Sequence, residues 1–229
     1  MARGFGINHL KMLRAGSIPE LAFEIRDAGP LEYAAVPTLR FRLEIESVGG
    51  EAIRSVLLDV QIQIAARRRP YGEAAQRRLL ELFGTPDRWA TTLRTLPWLR
   101  TTLVVPPFSG RTEIDVPVVC TYDLEVTASR YFDALDDGEV PLEFLFSGSV
   151  FYAGADGGLQ TARISWTKEA EYDLPVRVWK ETMERHFPGS AWLRLGRESF
   201  ERLGDYKASN GLATWDDALT TLLRRAGER

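Results

Sequence analysis

The sequence predicts a protein of the α+β class: an antiparallel β-sandwich with a helical insertion and a C-terminal helical subdomain. Two stretches in the first third alternate apolar and polar residues with a period of two, which is typical of strands with one buried face. The apolar spacing becomes helical at residues 73–95 and again after residue 173. With 229 residues, 45% of them hydrophobic, the chain is long enough to form a substantial core.

The strands of the first third are the clearest. Residues 38–46 alternate four apolar residues with four charged ones. In residues 56–64, five apolar residues alternate with Leu57, Asp59, Gln61 and Gln63. The turn sequence Val48-Gly49-Gly50-Glu51 lies between them, so we expect the two strands to pair as an antiparallel hairpin. An earlier strand is predicted at residues 21–25.

Helices then interrupt the strands at residues 73–95. Ala75, Leu79 and Phe83 fall on one helical face, and Thr85-Pro86-Asp87 is typical of a helix start. Strand patterns return at residues 99–105, 112–120, 122–127, 140–152 and 159–172. Pro117 indicates an edge strand or a bulge, because proline cannot donate a ladder hydrogen bond.

Three regions follow from these patterns. Residues 1–17 are expected to be a leader without fixed structure or a misplaced start. Residues 18–172 form the sandwich, including the helical insertion 73–95, and residues 173–229 form a helical subdomain packed on the sandwich. Within the subdomain, Thr214 and Asp217 have the spacing of a capping box ahead of an apolar helical face.

Composition excludes several classes of protein. One cysteine and two histidines rule out a disulfide scaffold and a structural Cys/His zinc site, so no cofactor or metal is expected. A net charge of −3 gives no general attraction for nucleic acid. No segment approaches a signal peptide or a membrane span, so we expect a cytoplasmic protein without membrane insertion.

One cluster of positive charge is the main candidate site. Arg67, Arg68 and Arg69 precede Tyr71, and two further arginines follow at positions 77 and 78. Arginine and tryptophan dominate the energetics of protein interfaces, so we predict that Arg67, Arg68, Arg69 and Tyr71 form a docking patch for a protein partner. Trp192 is predicted to be an apolar anchor of the same interaction.

Two alternatives remain open beside this interpretation. Asp133, Asp136 and Asp137 could be the acids of a hydrolase, although Asp-Asp-Gly is also ordinary turn sequence. The six tryptophans could make the sheet a small-ligand or carbohydrate-binding surface, or they could join helices to the sheet. Cys120 and His186 are expected to be structural, the cysteine as a buried thiol with a raised pKa.

Several segments together resemble a bacterial family, the domain-of-unknown-function family 6084, from about residue 21 to residue 223. They are AVPTL (35–39), RRRPY (67–71), LFG (82–84), CTYDLEV (120–126), YFDALDDGE (131–139), LFSGSVF (145–151) and FPGSAWL (187–193). Members of that family are often encoded beside genes for [NiFe]-hydrogenase subunits and maturation factors. The resemblance implies this genomic context and assigns no activity and no catalytic residue. Together with the lack of a catalytic cluster and the surplus of tryptophans, the context leads us to expect a non-catalytic accessory or assembly protein that binds another protein, with a hydrogenase subunit or maturation factor as one candidate partner. Self-association is left open.

Overall fold

The computed structural model describes residues 18–120, 126–190 and 194–227, and the predicted leader lies outside them. The strands in these ranges are β1 Leu21–Pro30, β2 Thr38–Ser47, β3 Ala52–Ile64, β4 Leu96–Val105, β5 Phe108–Ser109, β6 Arg111–Val119, β7 Glu139–Ala153, β8 Leu159–Arg163 and β9 Glu169–Pro175. The α-helices are α1 Glu73–Arg78, α2 Leu80–Phe83, α3 Trp89–Thr92, α4 Thr127–Asp133, α5 Val176–His186, α6 Arg197–Ser209 and α7 Trp215–Gly227.

The strands form two antiparallel sheets that pack face to face. The first sheet has the order β1-β2-β6, and the second has the order β4-β3-β7-β8, with β5 added beside β3 and β9 beside β7. Aromatic rings join the inner faces: Phe23 stacks on Phe146 at 4.4 Å, and Phe41 meets Phe144 edge-on at 5.2 Å. The predicted α+β sandwich is confirmed, with helices in the insertion and at the C-terminus.

The predicted hairpin between the first two alternating strands is wrong. Their alternation is as expected, with Phe41 and Leu58 fully buried, but β2 pairs with β1 and β6 whereas β3 pairs with β4, β5 and β7. The turn after Ser47 therefore carries the chain from one sheet to the other. Each strand buries its apolar side against the opposite sheet. The period of two predicts this burial whether or not the two strands pair with each other.

The longest strand, β7, organises the second sheet. It pairs with β3 along one side, while β8 and β9 share its other side. The prediction of one strand over residues 159–172 is therefore wrong, because residues 164–168 leave the ladder between β8 and β9.

Gly148 on β7 allows the close approach of β3: an added Cβ would lie 2.0 Å from the Leu57 carbonyl oxygen.

The edge position indicated by Pro117 is confirmed, since β6 pairs only with β2 within its sheet. The outer face of the same sheet is covered with ion pairs, as the polar side of β2 predicts. Glu44 differs from its neighbours because Arg26 and Arg111 cover it and leave it buried. The Arg26 guanidinium, 2.7 Å from the carboxylate, lowers the pKa of Glu44.

The helical insertion is confirmed, although it is more broken than the sequence indicates. Leu79 separates α1 from α2, and a 3-10 turn at Pro86–Arg88 leads into α3. The strand expected at residues 122–127 is wrong at its end, because Thr127 begins the helix α4. Residues 121–125 lie outside the described ranges. Tyr131 and Phe132 on α4 are fully buried in the core.

The chain divides into two compact units, residues 1–190 and 191–229. The helix α5 belongs to the first unit, where it contacts β1, β2 and β9. The described part of the second unit is a pair of helices, α6 and α7, joined by a turn in which Gly211 has a φ of +63°. None of the helices in the described ranges is long and apolar enough to cross a membrane.

Candidate functional site

The predicted basic patch lies at the end of β3 and is bonded to other parts of the first unit. Arg68 donates two hydrogen bonds to the Glu171 carboxylate on β9, at 2.6 and 2.7 Å. Arg67 donates to the carbonyl oxygens of Leu93 and Ala90 at the end of the helical insertion. These side chains are exposed, but ion pairing and hydrogen bonding reduce the free positive charge that they offer to a partner.

Arg69 and Tyr71 belong to a partly buried polar network. The Tyr71 hydroxyl donates to the Ala66 carbonyl oxygen at 2.6 Å and lies 2.7 Å from the Tyr131 hydroxyl. Arg69 lies over the Tyr71 ring and donates to the Asp137 carbonyl oxygen at 3.2 Å. Burial raises the pKa of both tyrosines. The predicted docking residue Tyr71 is thus a link between the end of β3 and α4.

The acidic turn faces the basic segment. Asp136 accepts a hydrogen bond from Arg78 at 2.7 Å, and Lys180 donates to its carbonyl oxygen at 2.9 Å. The Arg78 hydrogen bond lowers the pKa of Asp136. A general acid needs a raised pKa, so this carboxyl is unsuited to that role. Gly138, with a φ of +79°, confirms the turn that Asp-Asp-Gly predicts.

The tryptophans separate into two groups. Trp179 on α5 stacks on Phe132 of α4 at 4.5 Å and so joins two helices. Trp98 on β4 lies 5.0 Å from the same ring and joins α4 to the sheet. Trp89 likewise packs inside the helical insertion. Trp166 and Trp215 are exposed, at 86% and 42%. Trp192, the predicted anchor, lies outside the described residues.

Cys120 is buried, and desolvation raises the pKa of its thiol to about 12, as the sequence predicts. His186 ends α5, and its two ring nitrogens lie 3.1 Å from the Thr182 carbonyl oxygen and 3.2 Å from that of Ala34. The described residues bring no three His, Cys, Asp or Glu side chains close enough together to hold a metal ion.

The helix α7 presents an apolar face that the sequence analysis identified by its spacing. The face consists of Trp215, Ala218, Leu219, Leu222 and Leu223, at positions i, i+3, i+4, i+7 and i+8. Only Ala218 of these is buried, and Leu223 is 72% exposed. Phe200 on α6 extends the apolar surface, with its ring 5.0 Å from that of Trp215. We call this surface the α7 face.

A second exposed feature is a groove of about 130 Å³ on the outer face of the second sheet. Its polar side chains come from three neighbouring strands, and Trp166 stands at one side. The lining residues are Asp59, Gln61, Arg100, Leu145, Phe146, Ser147 and Trp166. From the sequence, Asp59 and Gln61 are recognisable only as the polar side of a strand. The residues beside them on β4 and β7 are set by the register of the three strands, which the sequence does not reveal.

Fold and site together define a sandwich domain and a helix pair, and the residues that the structure describes form no constellation that identifies a reaction. The sequence profile of the Family of unknown function (DUF6084) matches residues 18–229. The chain therefore belongs to that family, as its motifs indicated. No curated protein is significantly similar to it in sequence.

Among solved structures, the chain is similar to the CARDB domain of the PF1109 protein from Pyrococcus furiosus, solved in complex with di-metal ions. The identity is 12%, the match covers 68% of this chain and 91% of that one, and the TM-score is 0.27. It is also similar to a β-glucosidase from Kluyveromyces marxianus, with 11% identity, 68% of this chain and 15% of that one covered, and a TM-score of 0.24. For β-glucosidase 3B from Thermotoga neapolitana the identity is 14%, the match covers 67% of this chain and 17% of that one, and the TM-score is 0.23. The chain spans less than a fifth of either glucosidase, and likenesses at these TM-scores carry no functional argument.

Proposed function

We propose that this protein is an accessory protein that binds another protein through the α7 face. The exposure of that face is the observation that carries the proposal. Soluble proteins rarely expose contiguous apolar patches, and such patches mark interaction sites. Leu223 and Phe200 are 72% and 50% exposed, and a complementary surface on a partner would cover them.

The pattern also indicates the chemistry of the partner. Anchors at i, i+4 and i+7 on one helix are typical of an amphipathic helix that binds in an apolar groove. Acidic residues begin α7 and arginines end it, which complements the helix dipole and leaves no single sign of charge on the unit. The partner is therefore a protein with an apolar groove, recognised by shape and hydrophobic contact.

The predicted patch at Arg67, Arg68 and Arg69 and the predicted anchor Trp192 remain parts of the proposal to be tested separately. The family resemblance makes [NiFe]-hydrogenase subunits and maturation factors the first partners to seek. A role in the assembly of such an enzyme is the specific form of the proposal.

Affinity purification from the native host tests the proposal. A tagged full-length chain is compared with the double variant Leu219→Asp, Leu223→Asp, and with the control Val48→Asp, which places the same charge at an exposed apolar residue in the turn after β2. All three replaced residues are exposed, so the two variants should fold like the wild type, which circular dichroism and thermal unfolding would verify.

The proposal expects one protein in stoichiometric amount with the wild type and with Val48→Asp. Its recovery should fall at least about tenfold with the double variant, the loss expected when hot-spot residues are replaced. Elution of the wild type alone, or equal recovery with the double variant, would contradict a docking function for this face. Recovery of a protein unrelated to hydrogenases would keep the docking function and remove the assembly role.

A further inference from the structure

We propose that the groove beside Trp166 binds a saccharide chain, with Trp166 as the platform for one sugar ring. The site is on the outer face of the second sheet and is independent of the α7 face. Three features support this site: Trp166 is exposed, an ordered turn holds it, and the strand register places polar side chains beside it.

Trp166 is held at the groove by an ordered turn. The residues that leave the ladder between β8 and β9 remain hydrogen-bonded to β7: Ile164 donates its N–H to the Gly148 carbonyl oxygen at 3.0 Å, and Phe146 donates to that of Lys168 at 2.9 Å. The Ser165 and Thr167 hydroxyls, 2.9 Å apart, close the turn on either side of the tryptophan. The fixed backbone thus keeps the indole ring of Trp166 exposed to water, although burial of so large an apolar side chain would be more favourable.

The strand register places polar groups beside this ring. Asp59 and Gln61 point to the same face of β3 because they are two residues apart, and their Cα atoms are therefore separated by roughly 7 Å. Arg100 on β4 lies directly opposite Gln61, and Ser147 on β7 lies directly opposite Asp59. Thr102 donates a hydrogen bond to one oxygen of the Asp59 carboxylate, which fixes its orientation.

The chemistry of these groups suits a neutral polyhydroxylated ligand. Asp59 only accepts hydrogen bonds, Arg100 only donates them, and Gln61 and Ser147 do both. Each sugar hydroxyl is donor and acceptor at once, so a ring with neighbouring hydroxyls can satisfy this mixed set. The charges of Asp59 and Arg100 balance, which gives an ionic ligand no advantage over a neutral one.

The groove is small and partly open to solvent. With a volume of about 130 Å³ it would take part of one sugar ring and leave the rest of a saccharide chain in solvent. The apolar C–H face of a pyranose ring packs on the indole, while its hydroxyls reach the strand side chains.

Isothermal titration calorimetry of the full chain with cellohexaose, xylohexaose, mannohexaose and chitohexaose tests the proposal. At least one of the four should bind with a dissociation constant in the millimolar range or below. Trp166→Ala should weaken that binding at least about tenfold, as expected for the main apolar contact, and Gln61→Ala should weaken it severalfold. The matched control is Tyr33→Ala, which removes an exposed aromatic ring outside the groove and should leave binding unchanged.

Two results would overturn the proposal. One is that none of the four oligosaccharides binds the wild-type chain. The other is that Trp166→Ala, folded by circular dichroism, binds as well as the wild type. Because Trp166 is so exposed, its replacement should leave the core intact, so loss of binding in this variant alone reports on the groove. Neither result bears on docking through the α7 face.

Discussion

Arg68 and Glu171 form a two-point ion pair between the end of β3 and β9, with nitrogen to oxygen distances of 2.6 and 2.7 Å. The two residues are 103 positions apart in the sequence. The planar guanidinium matches the carboxylate, which makes such pairs more directional than those of lysine. A second carboxylate, that of Glu143 on β7, lies 3.7 Å from the same nitrogen. The segment with the highest density of positive charge thus makes its ion pairs with the second sheet.

This pair predicts a change in titration. The hydrogen bond from Arg68 lowers the pKa of Glu171, so Arg68→Ala should raise that pKa toward the ordinary glutamate value. The pair stabilises the fold at pH values above the pKa of Glu171 in the unfolded chain, and this contribution is lost as the pH falls through the lower pKa of the folded state. Carboxyl-detected NMR titrations of both proteins would measure the shift. An unchanged pKa would mean that the pair does not persist in solution.

The tyrosine network predicts two different losses of stability. Tyr131→Phe removes one hydroxyl and should lower the free energy of unfolding by about 1 kcal/mol. Tyr71→Phe also removes the donor to the buried Ala66 carbonyl oxygen and leaves the Tyr131 hydroxyl without that partner, so it should cost about 2 kcal/mol. Urea unfolding measures both values. Equal effects would indicate that water replaces the missing hydroxyl at Tyr71.

Local patterns predicted much of this fold, and long-range pairing was the part they missed. The alternation of β2 and β3 identified the buried residues correctly, because the period of two fixes the two faces of a strand. It could not tell a hairpin from a crossing between sheets, since both place the same residues in the core. The short helix α4 was missed although Ala128, Tyr131 and Phe132 have helical spacing, because the strand-prone residues before it extended the strand prediction.

The candidate site shows the same limit. The basic cluster at residues 67–69 was evident from composition, but its partners Glu171 and Asp137 come from distant segments. Asp59, Gln61 and Arg100 meet only through the register of three strands, so nothing in the sequence joined them to Trp166. The α7 face was predictable because helical spacing is a local property.

Gly148 predicts a large steric effect on the fold. Its φ of +133° disfavours any side chain, and an added Cβ would lie 2.0 Å from the backbone oxygen of Leu57. Gly148→Ala should therefore lower the free energy of unfolding by about 3 kcal/mol or more. Gly157→Ala is the matched control: its φ is also positive, at +78°, but the space around it is open, so its cost should be about 1 kcal/mol. Denaturant unfolding of the two variants compares them directly, and equal costs would rule out the clash with β3.

Cys120 predicts a thiol that reacts only when the protein opens. Because burial raises its pKa to about 12, the thiol stays protonated in the folded protein at pH 8, and the thiolate is the reactive form. Labelling with a disulfide reagent at pH 8 should be very slow in buffer and complete within seconds in denaturing urea. Rapid labelling of the native protein would show that the strand end beside Pro37 opens readily.

The helix cap of α7 predicts how firmly the apolar surface is held. Thr214 accepts a hydrogen bond from the Asp217 N–H at 3.0 Å, and the Asp217 carboxylate accepts one from the Thr214 N–H at 3.0 Å, which is the reciprocal capping box predicted from the sequence. Thr214→Ala should cost about 1 kcal/mol and lower the hydrogen-exchange protection of the first α7 amides about fivefold. Thr220→Ala, on the polar side of the same helix, should leave that protection unchanged. If docking requires a preformed helix, Thr214→Ala should also weaken partner recovery by a similar factor, whereas unchanged recovery would mean that the partner itself orders α7.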